Sequence, residues 1–146
     1  MISREIMLWL LRLAGIGQIG LFCASFMIPK ILRWKDELAK LQPLTRQVYW
    51  TYAAYILTIN LCFGVLSLFA PHWLLGSPLA GAVCAFIAVY WGARVAIQFT
   101  YYDRSQAPPG LIYKVLEALL VALFGYCTLV YGYGAYLNWA APVGFL

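Results

Sequence analysis

Apolar residues fall in four long blocks along this chain, and the short segments between them hold most of the charge. The blocks run from about Met7 to Ile28, Val48 to Ala70, Leu79 to Tyr101 and Leu111 to Leu137. Crossing ~30 Å of hydrocarbon takes roughly 20 helical residues, and each block is long enough. Strands are excluded because an open sheet edge in lipid leaves backbone groups unsatisfied, and no period-two alternation is present. The expected fold is all-α: one integral membrane domain over residues 1–146, built as a four-helix transmembrane bundle. Pro29 and Pro71 stop the first two blocks, Pro108-Pro109-Gly110 turns the chain before the fourth, and Thr45 is the expected N-cap of the second.

Between the first two blocks a shorter pattern recurs. Ile31, Trp34, Leu38 and Leu41 share one helical face, while Arg33, Asp36, Glu37 and Lys40 lie elsewhere. This reads as a short amphipathic helix on the membrane surface, or as an extension of the first helix past Pro29.

Composition supports lipid as the solvent: 64% of the 146 residues are apolar and only 10% are charged, too few to cover a soluble domain. The net charge of +5 sits in the connections rather than on a basic stripe, so nucleic acid is not an expected partner. Lys30, Arg33, Lys35, Lys40 and Arg46 crowd the first connection, and Arg104 and Lys114 flank the third. The other side has only Arg4 and Arg12. The positive-inside rule then places both termini outside a cell membrane and the charged loops in the cytoplasm. Trp9, Trp73 and Trp139 fall near the outer interface, Trp34 and Trp50 near the inner one. Arg12 inside the first block and the bulky Phe22 before Cys23 argue against a cleaved leader or lipoprotein processing.

Small residues mark expected helix contacts: Gly81, Ala85, Ala88, Gly92 and Ala96 on the third helix, Ala118, Ala122 and Gly125 on the fourth. Gly15, Gly17 and Gly20 spell G-x-G-x-x-G, but no strand precedes them and no βαβ unit follows, so no dinucleotide is expected. Cys23, Cys62, Cys84 and Cys127 lie one per block and read as small apolar residues. Cys62, Cys84 and Cys127 come out at one depth, which would suit a soft metal, yet no metal or other cofactor is expected. His72 alone cannot build a zinc site. Gln18 and Asn60 both fall near mid-membrane and are expected to hydrogen-bond to each other.

The charges inside the blocks are the candidate chemistry. Arg94 and Glu117 both lie roughly 9–11 Å in from the charged-loop side, on adjacent helices, and are expected to pair. Tyr90, Arg94, Gln98 and Tyr101 share a face of the third helix; Tyr113, Glu117, Phe124, Thr128 and Tyr131 share one on the fourth. Where these faces meet, Arg94, Glu117, Gln98, Tyr90, Tyr101 and Tyr113 form a candidate ligand site, because a guanidinium offers a fork of donors to an anionic headgroup or carboxylate. An alternative is an ion pair that only fixes helix register. One Glu with one Arg is thin for acid–base catalysis, so no catalytic residue is assigned. The reading is a non-enzymatic membrane protein that binds membrane lipid or a small ligand, or that serves as an accessory subunit to a protein partner or a second copy. A proton- or ion-coupled transporter subunit using Glu117, and a membrane enzyme acting on a lipid or isoprenoid, are the alternatives.

Overall fold

In the computed structural model, residues 2–103, 105 and 110–140 are described. Arg104 and the Pro108-Pro109 turn lie outside them. The chain forms α1 (Arg4–Ser25), α2 (Ile28–Ile31), α3 (Trp34–Ala39), α4 (Pro43–Phe69), a 3₁₀ turn (Pro71–Leu74), α5 (Pro78–Thr100) and α6 (Leu111–Ala140). No strand occurs among the described residues, and α1, α4, α5 and α6 are each long and apolar enough to cross a membrane.

Helix ends follow local chemistry. Ser3 caps α1 by accepting from the Ile6 N–H, and Ser77 caps α5 by accepting from Ala80. The second span begins earlier than expected: Pro43 occupies its first turn and Gln42, not Thr45, is the N-cap residue. Proline lacks the N–H that the first turn leaves orphaned, so it favours that start. The segment 31–41 is not one helix. Arg33 adopts φ 50° and breaks it into α2 and α3. Trp34 then packs edge-on against Tyr49 and Trp50 of α4, at 5.1 and 5.8 Å between ring centres, and Leu38 is buried.

Two tight pairs make the bundle: α1 runs along α4, α5 along α6, and α1 joins the pairs by its contact with α6. Glycine sets the first pairing. A methyl group on Gly15 would sit 2.7 Å from the Leu68 backbone N and 2.8 Å from the Gly64 carbonyl oxygen. Gly17 likewise lies under Leu123 of α6, whereas Gly20 faces open space. Gly81 and Gly92 of α5 behave as expected, beneath Trp139 and beside Thr128 of α6, whereas Ala96 at the end of that stripe is exposed. The small residues of α6 do not behave so: Ala118 and Ala122 are exposed and nothing approaches Gly125. The bundle instead takes the opposite face of α6, where Phe124, Cys127, Tyr131, Gly134 and Asn138 are buried.

The end where α1 begins and α6 finishes is closed. Asn138 saturates its side-chain amide there: Oδ1 accepts from Gly76 (2.7 Å) and Ser77, and Nδ2 donates to Leu74 O (3.0 Å) and Gly134 O (2.8 Å). Gly76 makes this turn at φ 101°, a conformation that L side chains avoid. Met7, Leu11, Leu74, Cys84, Ile87, Trp91, Phe124, Cys127 and Tyr131 fill the interior between this turn and a stacked Trp91–Phe124 layer. On the charged-loop side of that layer Leu38 is the one buried apolar side chain among the described residues.

Candidate functional site

Two polar centres lie inside the bundle, one on either side of the Trp91–Phe124 layer. The deeper one joins all four long helices. Gln18 of α1 donates from Nε2 to the Tyr131 hydroxyl of α6 (2.6 Å) and to Ala14 O (3.1 Å), and its Oε1 accepts from the Trp91 indole of α5 (3.2 Å). Ser67 of α4 shares a hydrogen bond with the same Tyr131 hydroxyl. Indole only donates, so the amide orientation is forced and every polar atom of Gln18 is satisfied. The expected Gln18–Asn60 bond does not form. Asn60 instead accepts from Tyr90 of α5 (3.0 Å), because the two residues reach different neighbours once α4 packs against α1 through glycine. Sequence reasoning missed Ser67, Tyr131 and Asn138 as structural polar residues; the signal available was a polar atom in an apolar run with no other role.

The second centre holds the candidate ligand residues. Arg94 is half-buried; it donates from Nη1 to the Tyr102 hydroxyl (3.1 Å) and lies 5.6 Å from the Phe124 ring centre. Cation–π contact of this kind is worth about 0.5–2 kcal/mol, less than an ion pair with a carboxylate in a dry site. Glu117 accepts from Gln98 at 2.9 Å. The Arg94–Glu117 ion pair expected from equal depth is therefore not formed: among the described residues no carboxylate lies within ion-pair distance of Arg94. Gln98, one turn beyond Arg94 on α5, takes the carboxylate instead.

Tyr101 also departs from expectation. Helix α5 ends at Thr100, Tyr101 is its C-cap residue, and that side chain is 80% exposed. The chain turns back through the Tyr102 N–H to Ile97 O, which brings Tyr102 to Arg94 in its place. Tyr90 is directed to α4, with Asn60 at its hydroxyl and Phe63 against its ring at 5.5 Å. Tyr113 is half-buried at the start of α6. The structure thus groups Arg94, Gln98 and Glu117 on the inner faces of α5 and α6 and removes Tyr101. An open cleft of about 440 Å³ lies against the other side of Glu117, lined by Phe99, Lys114, Ala118, Val121 and Ala122.

Metal chemistry finds no donor set among the described residues. Cys84 and Cys127 are buried but Cys62 is exposed, so the three thiols do not share one environment. His72 is exposed beside Trp73.

Fold and interior define a polytopic membrane protein, an all-helical bundle with a closed half and an open, basic half. Comparison with known proteins takes this no further: no protein family, no curated protein and no solved structure matches the chain.

Proposed function

We propose that this chain is a non-enzymatic membrane protein that binds a lipid-like anionic ligand at the charged end of its bundle. Arg94 is the principal contact, with Gln98, Glu117, Tyr90 and Tyr113 around it and Tyr102 in the place expected for Tyr101. The observation that carries the reading is an Arg inside a membrane-spanning helix that has a hydroxyl and an aromatic face as partners but, among the described residues, no carboxylate. A cation within lipid is costly unless an anion accompanies it. Loose packing on that side leaves room for one, and the exposed apolar surfaces beside it suit an acyl or isoprenoid tail. The Lys and Arg residues of the first and third connections would further favour anionic headgroups, at about 1 kcal/mol each near the surface. In this reading those connections face the cytoplasm and both termini lie outside.

Binding is favoured over conduction by the packing above Arg94. The Trp91–Phe124 stack, at 5.2 Å between ring centres, and the Gln18–Tyr131–Ser67 centre fill the path toward the other end. Native mass spectrometry of gently solubilised wild type and Arg94→Gln tests the proposal. A co-purifying lipid mass present in wild type and lost in the variant is the expected result. Identical spectra from two folded proteins would overturn it.

A further inference from the structure

The ligand reading above concerns the charged end of the bundle, but the other end carries a cation of its own. Arg12 stands eight residues beyond the start of α1, roughly 12 Å along a helix long and apolar enough to cross a membrane. It is half-buried, and its guanidinium carbon lies 5.1 Å from the centre of the Trp9 ring. Among the described residues it makes no hydrogen bond and no ion pair. Glu5, the acidic residue in the first turn of α1, stands two turns nearer the helix start and is not within ion-pair distance.

The geometry of α1 turns this group toward the bilayer. Met7, Leu11, Ala14 and Gln18 form the buried face. Trp9, Leu13 and Ile16 lie away from it, and each is more than half exposed. Arg12 sits at the edge of that exposed face. Helical side chains lean toward the start of their helix, which carries the guanidinium over Trp9, one turn nearer the membrane surface. The span that α1 opens runs 28 residues, beyond the roughly 20 that hydrocarbon requires. Its first turns therefore reach the headgroup layer. An exposed Trp is favoured there, and a guanidinium on a long apolar stem is drawn there.

We propose that Arg12 and Trp9 form a second lipid site, separate from Arg94, that holds the phosphate of a phospholipid in the leaflet where α1 begins. A cation this far inside a span is costly without an anion, and no described carboxylate reaches it. A guanidinium presents its N–H donors as a planar fork that suits phosphate oxygens, and here none is spent on a described residue. Trp9 keeps the fork in one place through its cation–π contact. Deeper along the same face, exposed Leu13 and Ile16 give an acyl chain a surface to lie on, which favours an amphiphile over a free anion.

Two measurements on the full chain test this. Protein carrying isotope-labelled arginine is reconstituted in phosphatidylcholine bilayers, and dephasing of the guanidinium carbon by lipid phosphorus is read by solid-state NMR. The signal that Arg12→Gln removes belongs to Arg12; it is expected to be dephased, in wild type and in Arg94→Gln alike. The second measurement starts from delipidated Arg94→Gln protein in detergent, so that the charged-end site is silent. It is offered phosphatidylcholine or a phosphate-free galactolipid with the same acyl chains, and retention is read by native mass spectrometry. Adding Arg12→Gln should lower phosphatidylcholine retention about tenfold, the scale of one charge-assisted hydrogen bond, and leave the galactolipid unchanged. Adding Trp9→Leu instead should lower it about two- to fivefold. Arg12 is half-buried at the edge of the bundle and Trp9 is exposed, so neither change opens the core. An undephased Arg12 signal, or phosphatidylcholine retention unchanged by Arg12→Gln, overturns the site. Displacement of the lipid by millimolar inorganic phosphate overturns the amphiphile in favour of a free anion. None of these outcomes bears on the charged-end reading, which stands or falls on Arg94→Gln alone.

Discussion

The two ends of this bundle are made from the same four helices yet are held by different means. At the end where α1 begins and α6 finishes, glycine lets backbones touch, Asn138 ties the interhelical turn to α6, and one tyrosine hydroxyl connects three helices. At the charged end, side chains that face inward are polar or half-buried, and the ring cluster of Trp34, Tyr49 and Trp50 packs near the surface instead of at the axis. Lipid supplies no hydrophobic force between helices, so association depends on close packing and hydrogen bonds. Where both are present the bundle is a rigid block. Where they are absent Arg94 has, among the described residues, a hydroxyl and a ring as partners in place of a carboxylate.

The strongest way to break this contrast is to force the closed half open. Gly15→Val would drive side-chain carbon into the α4 backbone, which cannot yield as a flexible side chain can. Overpacking of well-filled cores costs about 1–3 kcal/mol or more, and backbone against backbone falls at the upper limit. The expected outcome is a large drop in thermal midpoint or in folded yield, read by size-exclusion chromatography after heating in detergent. Gly125→Ala and Gly132→Ala are the controls, since nothing lies within 4 Å of a methyl group at either site. They should match wild type or gain up to about 1 kcal/mol from helix propensity. A Gly15→Val protein as stable as these controls would show that the α1–α4 contact does not hold the pair together.

Tyr131→Phe is a gentler probe of the same region. It deletes the hydroxyl that Gln18 and Ser67 share while keeping the ring, and Gln18 keeps its bonds to Ala14 and Trp91. Interhelical hydrogen bonds in membrane proteins contribute about 0.6 kcal/mol on average and up to about 1.7, so a loss near 1–2 kcal/mol is expected. Reversible unfolding in mixed micelles measures it. On the other side of the aromatic layer, Arg94→Gln should change stability by less than about 1 kcal/mol, because it removes one hydrogen bond and a cation–π contact from a half-buried residue. Its effect should appear in ligand retention. A stability loss larger than that of Tyr131→Phe would reverse the contrast and make Arg94 structural.

The same division marks what the sequence made legible. Spans, their lengths and the all-helical class follow from hydropathy, because the bilayer imposes one length and one kind of backbone pairing. Depth along a helix was read from the sequence too, but equal depth did not make Arg94 and Glu117 a pair. Azimuth was not legible. Gln18 and Asn60, expected at one depth, take different partners, and Gly15, dismissed as part of a chance cofactor motif, proves to be the contact with α4. The stripe on α6 failed for the same reason: small residues say that a close approach is allowed on a face, not that this bundle uses it. Tyr101 was lost to an end effect: it is the C-cap residue of α5, where the chain turns so that Tyr102, and not Tyr101, reaches Arg94.

The smallest expected effect sits at the rim of the open end. Asp103 is fully exposed, yet its carboxylate accepts from the Ser105 N–H at 2.8 Å, and that bond holds its pKa below the ordinary carboxylate range. A depressed folded pKa means the associated stabilisation is present above the unfolded value, about 3.9, and is lost as pH falls through the lower folded value. Carboxyl carbon NMR of Asp-labelled protein in micelles should therefore place the Asp103 midpoint below that of free aspartate. Ser105→Pro removes the N–H and should return the midpoint to the ordinary range, while Ser105→Ala keeps the backbone bond and most of the shift. Asp103→Asn should leave the thermal midpoint at neutral pH unchanged, because an exposed bond of this kind is offset by water. A midpoint at the ordinary value in wild type would mean that the turn after α5 is not ordered around Asp103. The rim would then share the looseness of the interior it borders, instead of forming a fixed edge beside Tyr102.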